Sequence, residues 1–138
     1  MMSSHGKHLH QDLGTLLLRI AVAAPFLYHG IDKLALWNTV PEGMTENMLM
    51  IMRTLSIVEP IVGALILVGL LTPIAAAIGS IVMLGAIYFK IMVFSMSFVG
   101  STGAGWEFDL VILGGCLALL LGGAGCWSLD GMMGRKKD

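Results

Sequence analysis

The segment Asp12–Trp37, DLGTLLLRIAVAAPFLYHGIDKLALW, decides the fold of this chain. About 20 apolar residues in an α-helix cross the hydrocarbon core of a bilayer, and the run after Asp12 is long enough to do so. The same run carries Arg19, His29 and Lys33. Ionisable groups inside a membrane span usually face protein or water. The segment therefore predicts a transmembrane helix with one inward polar face.

The composition places the whole chain in the membrane class. Its 138 residues are 57% hydrophobic and only 12% charged, and the mean hydropathy of +0.87 is far above that of a typical soluble domain. The formal net charge is −1, and the basic residues lie at the chain ends and segment edges, so no basic surface for nucleic acid is present. We expect a single small domain over residues 1–138, with the lipid bilayer as its surroundings.

Four apolar runs follow one another and predict an all-α, integral membrane four-helix bundle. The predicted spans are 13–36, 49–71, 74–94 and 106–123. Asp12 is the expected N-cap of the first span, and Leu71-Thr72-Pro73-Ile74 is a break so short that the second and third spans should form a tight antiparallel hairpin.

An even number of spans places both termini on the same side of the membrane. The basic tail, Arg135 to Lys137, makes that side cytoplasmic by the positive-inside rule. The sequence thus predicts that both termini are cytoplasmic, and that the loops around Asn38 and Ser95 lie outside.

This topology brings most of the ionisable residues of the spans toward the outer leaflet, where cations and carboxylates can pair. Arg19 is nearer the cytoplasmic side, where it could reach Asp130 if the tail folds back. The candidate polar-pocket residues are Arg19, His29, Lys33, Glu59, Lys90, Glu107 and Asp109.

Two interpretations of these charges remain open. A charge at the bilayer centre costs about 2.5 to 3.5 kcal/mol on insertion scales, so pairing of Glu59 with Lys33 or Lys90 could be purely structural and fix the helix register. Alternatively, the same residues line a polar pocket or a proton route beside a membrane-borne substrate such as a quinone. His29 either ends a helix at the interface or hydrogen-bonds a quinone carbonyl and carries a proton.

No metal site and no catalytic residue can be assigned from the sequence. The histidines near the N-terminus and the eleven methionines have no matching ligands arranged with them, so flexible apolar packing explains the methionines better. No nucleophile, phosphate loop or carboxylate dyad stands out, which disfavours a self-contained hydrolase.

The order of motifs resembles the DoxX family of small four-helix membrane proteins. Three groups carry the resemblance within the first two spans and the start of the fourth: Leu17-Leu18-Arg19 with Tyr28-His29-Gly30 and Lys33, then Glu59 with Gly63 and Gly69, then Glu107. The closing segment Gly123-Ala124-Gly125-Cys126-Trp127-Ser128-Leu129-Asp130 completes it. Together these motifs cover nearly all of the chain from Leu13 to Asp130.

The resemblance implies a protein of the bacterial cytoplasmic (inner) membrane, and for some relatives an association with redox systems. A thiosulfate:quinone oxidoreductase has a DoxX-like membrane subunit, and other members are linked to oxidative-stress complexes. It implies Arg19, His29, Lys33 and Glu59 as candidate polar-pocket residues. It implies quinone as a candidate ligand, with no intrinsic cofactor, and membrane or redox proteins as partners.

Two functions follow as hypotheses. The protein is either the membrane subunit of a quinone-linked oxidoreductase or a non-catalytic accessory or scaffold subunit of a larger membrane complex. A small-solute carrier is disfavoured, because the four runs show no clear inverted repeat.

Overall fold

The computed structural model describes residues 4–134, and this part of the chain is helical without strands. The helices are α1 (Ser4–Asp32), α2 (Glu46–Val68), α3 (Thr72–Tyr88), α4 (Trp106–Gly122) and α5 (Leu129–Gly134). The all-α prediction is therefore confirmed. The basic residues Arg135 to Lys137, on which the predicted orientation depends, lie outside the described residues.

Helix α1 begins at Ser4, eight residues before the predicted N-cap. The expectation for Asp12 is wrong, because the polar residues before it contain no helix breaker other than Gly6 and simply continue the helix. The Asp12 carboxylate instead accepts a hydrogen bond from the backbone N–H of Cys126 at 2.8 Å. Helix α1 runs through Pro25 and then tightens into a 3₁₀ turn, Lys33–Trp37.

The tight turn predicted between the second and third apolar runs is present, but it occupies residues 69–71, because Thr72 and Pro73 already belong to the first turn of α3. Thr45 caps the start of α2 by accepting a hydrogen bond from the N–H of Met48 at 3.3 Å. Gly69 ends α2 in the left-handed conformation, with φ of 69°. Leu71, with φ of 49°, then leads directly into α3.

Helix α3 changes its winding at its far end. Residues Phe89–Val93 form one π-helical turn, in which the N–H of Phe94 donates to the carbonyl of Phe89 at 3.0 Å. Such turns are rare and frequently occur at functional sites. This turn carries Lys90, and a Gly- and Ser-rich loop then leads to α4.

The four long helices pack as two hairpins. Helix α1 packs mainly on α2, and α3 mainly on α4. In the first hairpin the backbones approach so closely that a Cβ at Gly30 would overlap Pro60. The largest fully buried apolar side chains are Phe26, Ile66, Leu119, Val62 and Cys116, which lie between the hairpins.

Three helical stretches are long and apolar enough to cross a membrane: His8–Trp37, Glu46–Val68 and Thr72–Val93. Helix α4 has 17 residues and is also apolar, but it is shorter than these three. Large apolar side chains on the outside of the bundle, such as Leu121 at 87% and Val111 at 73% exposed, suit contact with acyl chains.

The paired-charge cavity

A cavity of about 560 Å³ lies between the two hairpins, at the end of the bundle away from the α2–α3 turn. Most of its wall is apolar and includes Phe26, Leu55, Met83 and Phe89. Five of the seven candidate site residues also line it, namely His29, Lys33, Glu59, Lys90 and Asp109. We call it the paired-charge cavity, because four of these five form two ion pairs.

The first ion pair belongs to the α1–α2 hairpin. Lys33 Nζ lies 2.6 Å from Glu59 Oε2, with the Glu59 side chain 5% exposed and that of Lys33 21% exposed. Lys33 also lies 3.4 Å from the carbonyl oxygen of His29, one turn earlier in α1. A lysine ammonium has three N–H donors, so these two contacts leave one donor available at the cavity.

The second ion pair belongs to the α3–α4 hairpin. Lys90 Nζ, on the π-helical turn, lies 2.6 Å from Asp109 Oδ2 in the first turn of α4. The same ammonium contacts the carbonyl oxygens of Ala104 at 3.5 Å and Gly105 at 3.2 Å. The ion pair with Asp109 is close but lacks hydrogen-bond geometry, so Asp109 Oδ2 has no hydrogen-bond partner among the described residues. The Asp109 side chain is 9% exposed and lies at the cavity wall.

Each hairpin therefore contributes one cation from the end of its first helix and one carboxylate from its second. Within residues 8–134, no ion pair or side-chain hydrogen bond joins α1 or α2 directly to α3 or α4. The contact of His29 with Phe108, whose ring centroids are 6.1 Å apart, does bring α1 against α4. The cavity lies on this weakly connected boundary.

The other two candidate residues lie elsewhere. Glu107 is in the first turn of α4, but it packs against Gly105 of the preceding loop and its Oε2 atom has no hydrogen-bond partner among the described residues. Arg19 is 2% exposed and lies at the opposite end of the bundle.

Hydrogen bonds from Arg19 and to Asp130 fix the C-terminal segment against the bundle. Arg19 Nη2 donates to the carbonyl of Trp127 at 2.7 Å. Asp130, three residues later, accepts hydrogen bonds from the backbone N–H groups of Leu71 at 2.9 Å and Thr72 at 2.8 Å. The backbone N–H of Asp130 donates to the carbonyl of Gly69 at 2.8 Å. The tail does fold back toward Arg19, but Arg19 donates to the Trp127 carbonyl and forms no ion pair within 4 Å with the Asp130 carboxylate.

The pKa of Asp130 lies below its ordinary value of 3.8. Burial acts to raise this pKa, but the hydrogen bonds from Thr72 and Leu71 and the positive charge of Arg19 together outweigh it. Asp130 therefore stays ionised and acts as an N-terminal cap for α3 supplied by a distant segment.

The sequence matches one known family model. The DoxX model matches residues 14–94, more than half of the sequence. The chain belongs to the DoxX family. It is a small integral membrane protein, as the three long apolar helices also indicate. The DoxX match includes Lys33, Glu59 and Lys90, whereas Asp109 lies beyond it. No match was found among curated proteins or among solved structures.

Proposed function

We propose that this DoxX-family protein is the membrane subunit of a quinone-linked redox system, and that the paired-charge cavity binds the quinone headgroup. One observation carries the proposal: an apolar cavity of about 560 Å³ has an ion pair from each hairpin in its wall. A cavity of this volume is within the usual range for small-molecule sites, which is about 300 to 1,000 Å³.

The charges of the cavity favour a neutral ligand. The two lysines and two carboxylates sum to zero, so an added ion would have no opposite charge left to pair with it. An unpaired ion in an apolar environment is costly. A neutral ring with carbonyl acceptors avoids that cost, and it can accept the remaining N–H of Lys33.

The positions of His29 and Lys33 suit one carbonyl of such a ring. Lys33, the first residue of the 3₁₀ turn, follows His29 by four residues, and both side chains line the cavity. The His29 ring packs edge-on against Phe108, and no hydrogen bond to its ring nitrogens is present among the described residues. In this proposal His29 and Lys33 donate to the carbonyl, and the apolar residues of α2 and α3 hold the ring and the start of its tail.

Reduction of a quinone to a quinol takes up two electrons and two protons. Glu59 and Asp109 are the carboxylates at the wall and can transfer protons through their lysine partners or His29. The electrons would come from a redox protein bound to this subunit. We therefore propose a redox protein as its partner.

The arrangement in the membrane completes the proposal. We infer that α4 is a fourth span and that both termini are cytoplasmic in a bacterial inner membrane. The apolar sequence of α4 supports the fourth span. The hydrogen bond between Asp12 and Cys126, which joins the first part of α1 to the segment after α4, supports termini on one side.

An accessory role is the alternative, and one observation favours it. Both ion pairs join helices of the same hairpin, as pairs that only fix helix register would. In that case the protein binds no quinone and its exposed apolar faces pack against a larger membrane complex.

Substitution of Gly85 separates the two functions. Gly85 lines the cavity, and a Cβ there meets no atom within 4 Å, so a large side chain can enter the cavity without displacing backbone. Gly114 is equally free of contacts but lies exposed on α4, away from the cavity lining. Gly114→Trp is therefore a matched control for Gly85→Trp.

The measurement is quinone binding by each purified protein in a mild detergent, with thermal unfolding recorded alongside. We expect Gly85→Trp to weaken binding by about tenfold or more, which corresponds to about 1.4 kcal/mol, and Gly114→Trp to bind as the original protein does. If the original protein binds no quinone, or if both variants bind it equally well, the proposal is wrong and the accessory role is favoured.

A further inference from the structure

A second depression lies on the opposite side of α2 from the paired-charge cavity. It has a volume of about 460 Å³ and shares no lining residue with that cavity. We call it the Arg53 groove. It is lined by Trp37, Glu46, Leu49, Met50, Arg53, Thr54 and Ile57.

The guanidinium of Arg53 is held in place at this groove. Its Nε and Nη2 atoms donate to the carbonyl of Leu36 at 3.1 and 3.0 Å. It also lies over the ring of Trp37, 5.3 Å from the ring centroid. Trp37 is itself fixed, since its Nε1 donates to Ser56 Oγ at 3.0 Å.

This cation lacks a counter-ion within the part of the chain that the structure describes. No carboxylate lies within 4 Å of Arg53, and its Nη1 atom makes no hydrogen bond. Arg53 is half-buried, and apolar residues form the wall beside it. A fixed guanidinium with free N–H groups suits a phosphate, which accepts charge-assisted hydrogen bonds.

The order of residues along α2 matches the order of groups in a membrane lipid. Glu46 is at the start of the helix, Arg53 lies about two turns further in, and Ile57 is deeper still. Cα–Cβ bonds in a helix tilt toward its N-terminus, so the Arg53 side chain leaves α2 on the side of Glu46. From the loop end inward, the groove thus presents an anion, a cation and an apolar surface.

We propose that the Arg53 groove binds phosphatidylethanolamine. Its phosphodiester contacts Arg53, its ammonium contacts Glu46, and the first part of an acyl chain lies along Leu49, Met50 and Ile57. A lipid with a phosphate but no primary amine satisfies Arg53 and leaves Glu46 without an N–H donor. This site is independent of the proposed quinone site, because the two lie on different faces of α2.

Native mass spectrometry of the detergent-purified full chain tests the proposal. The protein is titrated with phosphatidylethanolamine, phosphatidylglycerol and phosphatidylcholine that carry the same acyl chains. We expect preferential retention of one phosphatidylethanolamine. Arg53→Gln should lower retention of all three lipids by about tenfold, because a charge-assisted hydrogen bond is lost, and Arg53→Lys should restore part of it.

Glu46→Gln tests the second contact. We expect it to abolish the preference for phosphatidylethanolamine over phosphatidylcholine while phosphate-dependent binding remains. Glu42→Gln, an exposed acid of the same loop end outside the groove, is the control and should leave the preference unchanged.

Three results would overturn the site. The first is equal retention of the three lipids by the original protein, which is the behaviour of a general lipid annulus. The second is an unchanged preference for phosphatidylethanolamine in Glu46→Gln, and the third is unchanged lipid retention in both Arg53 variants. Thermal unfolding of the Arg53 variants shows whether lower lipid retention reflects lower stability after loss of the hydrogen bonds to Leu36. Gly85→Trp, which alters only the paired-charge cavity, should leave lipid retention unaffected.

Discussion

The guanidinium of Arg19 lies directly against the backbone of Gly69, the residue that ends α2. A Cβ placed on Gly69 would overlap Arg19 Nη1 and Ser128 Cβ. Only glycine therefore permits both the left-handed turn and the close packing of the C-terminal segment at this point.

Gly69→Ala should accordingly destabilise the protein through two separate effects. The left-handed conformation at φ of 69° costs an alanine about 1 to 2 kcal/mol, and the overlap with Arg19 and Ser128 adds about 1 to 3 kcal/mol. Gly43→Ala is the matched control, because Gly43 has φ of 81° but no atom within 4 Å of its Cβ position. The free energy of unfolding in detergent checks the difference, and equal losses in the two variants would contradict the close contact.

The hydrogen bonds of Asp130 should make the stability depend on pH. Because the pKa of Asp130 is below its ordinary value of 3.8, its carboxylate contributes stability above that pH. The contribution is lost as the pH falls through the lower pKa of the folded protein. Unfolding is measured from about pH 6 to about pH 2.5, and Asp130→Asn should be less stable than the original protein at the upper end and converge with it at the lower end.

The control for that titration is Asp32→Asn, which removes an exposed carboxylate at the end of α1. It should leave the pH dependence unchanged. A gap between the original protein and Asp130→Asn that persists at the lowest pH would show that the carboxylate charge is not what caps α3.

The Lys33–Glu59 pair offers a test of whether its charges serve stability or ligand binding. Glu59→Leu leaves Lys33 without its partner and should cost about 3 kcal/mol or more, whereas Lys33→Met with Glu59→Leu should cost much less, because an apolar pair can replace a buried ion pair. Unfolding of the two single variants and the double variant checks this expectation.

Quinone binding by the same double variant then decides the role of the pair. If the cavity uses the remaining N–H of Lys33, the double variant folds but binds quinone at least about tenfold more weakly. Full quinone binding by a stable double variant would instead assign the pair to helix register alone.

The fourth span can be tested by labelling single cysteines in a background with Cys116→Ala and Cys126→Ala. Three exposed positions serve as reporters, namely Thr39→Cys, Ser101→Cys and Met133→Cys. In intact cells an impermeant maleimide should label the first two, and it should label Met133→Cys only after lysis. Labelling of Ser101→Cys and Met133→Cys from the same side would mean that α4 does not cross the membrane.

Much of this architecture could be predicted from helix periodicity. Arg19, Phe26 and Lys33 are seven residues apart along the predicted first span, so a helix places them on one face. The structure turns that face inward, with Arg19 and Phe26 each 2% exposed. The predicted depth of the spans also brought Glu59 near Lys33 or Lys90 without deciding between them, and the structure pairs Glu59 with Lys33.

Other features depend on local geometry that a helical repeat does not contain. Glu107 and Asp109 are two positions apart on α4, about 200° around the helix, so only Asp109 faces the cavity. The π-helical turn that presents Lys90 to Asp109 breaks the regular period. Trp127 and Asp130 are held by long-range contacts with Arg19, Leu71 and Thr72. The sequence indicated only that Arg19 could reach Asp130 if the C-terminal segment folded back.

The distribution of polar contacts has a consequence for which molecules the cavity can accept. The C-terminal segment fastens both hairpins together near the α2–α3 turn, whereas at the other end they meet through apolar and aromatic contacts. The two hairpins can therefore move slightly apart at that end without breaking a hydrogen bond among residues 8–134, because the hydrogen bonds there lie within one hairpin. If the cavity binds a quinone as proposed, rings with differing substituents should therefore fit at similar cost, and selectivity among related quinones should be low.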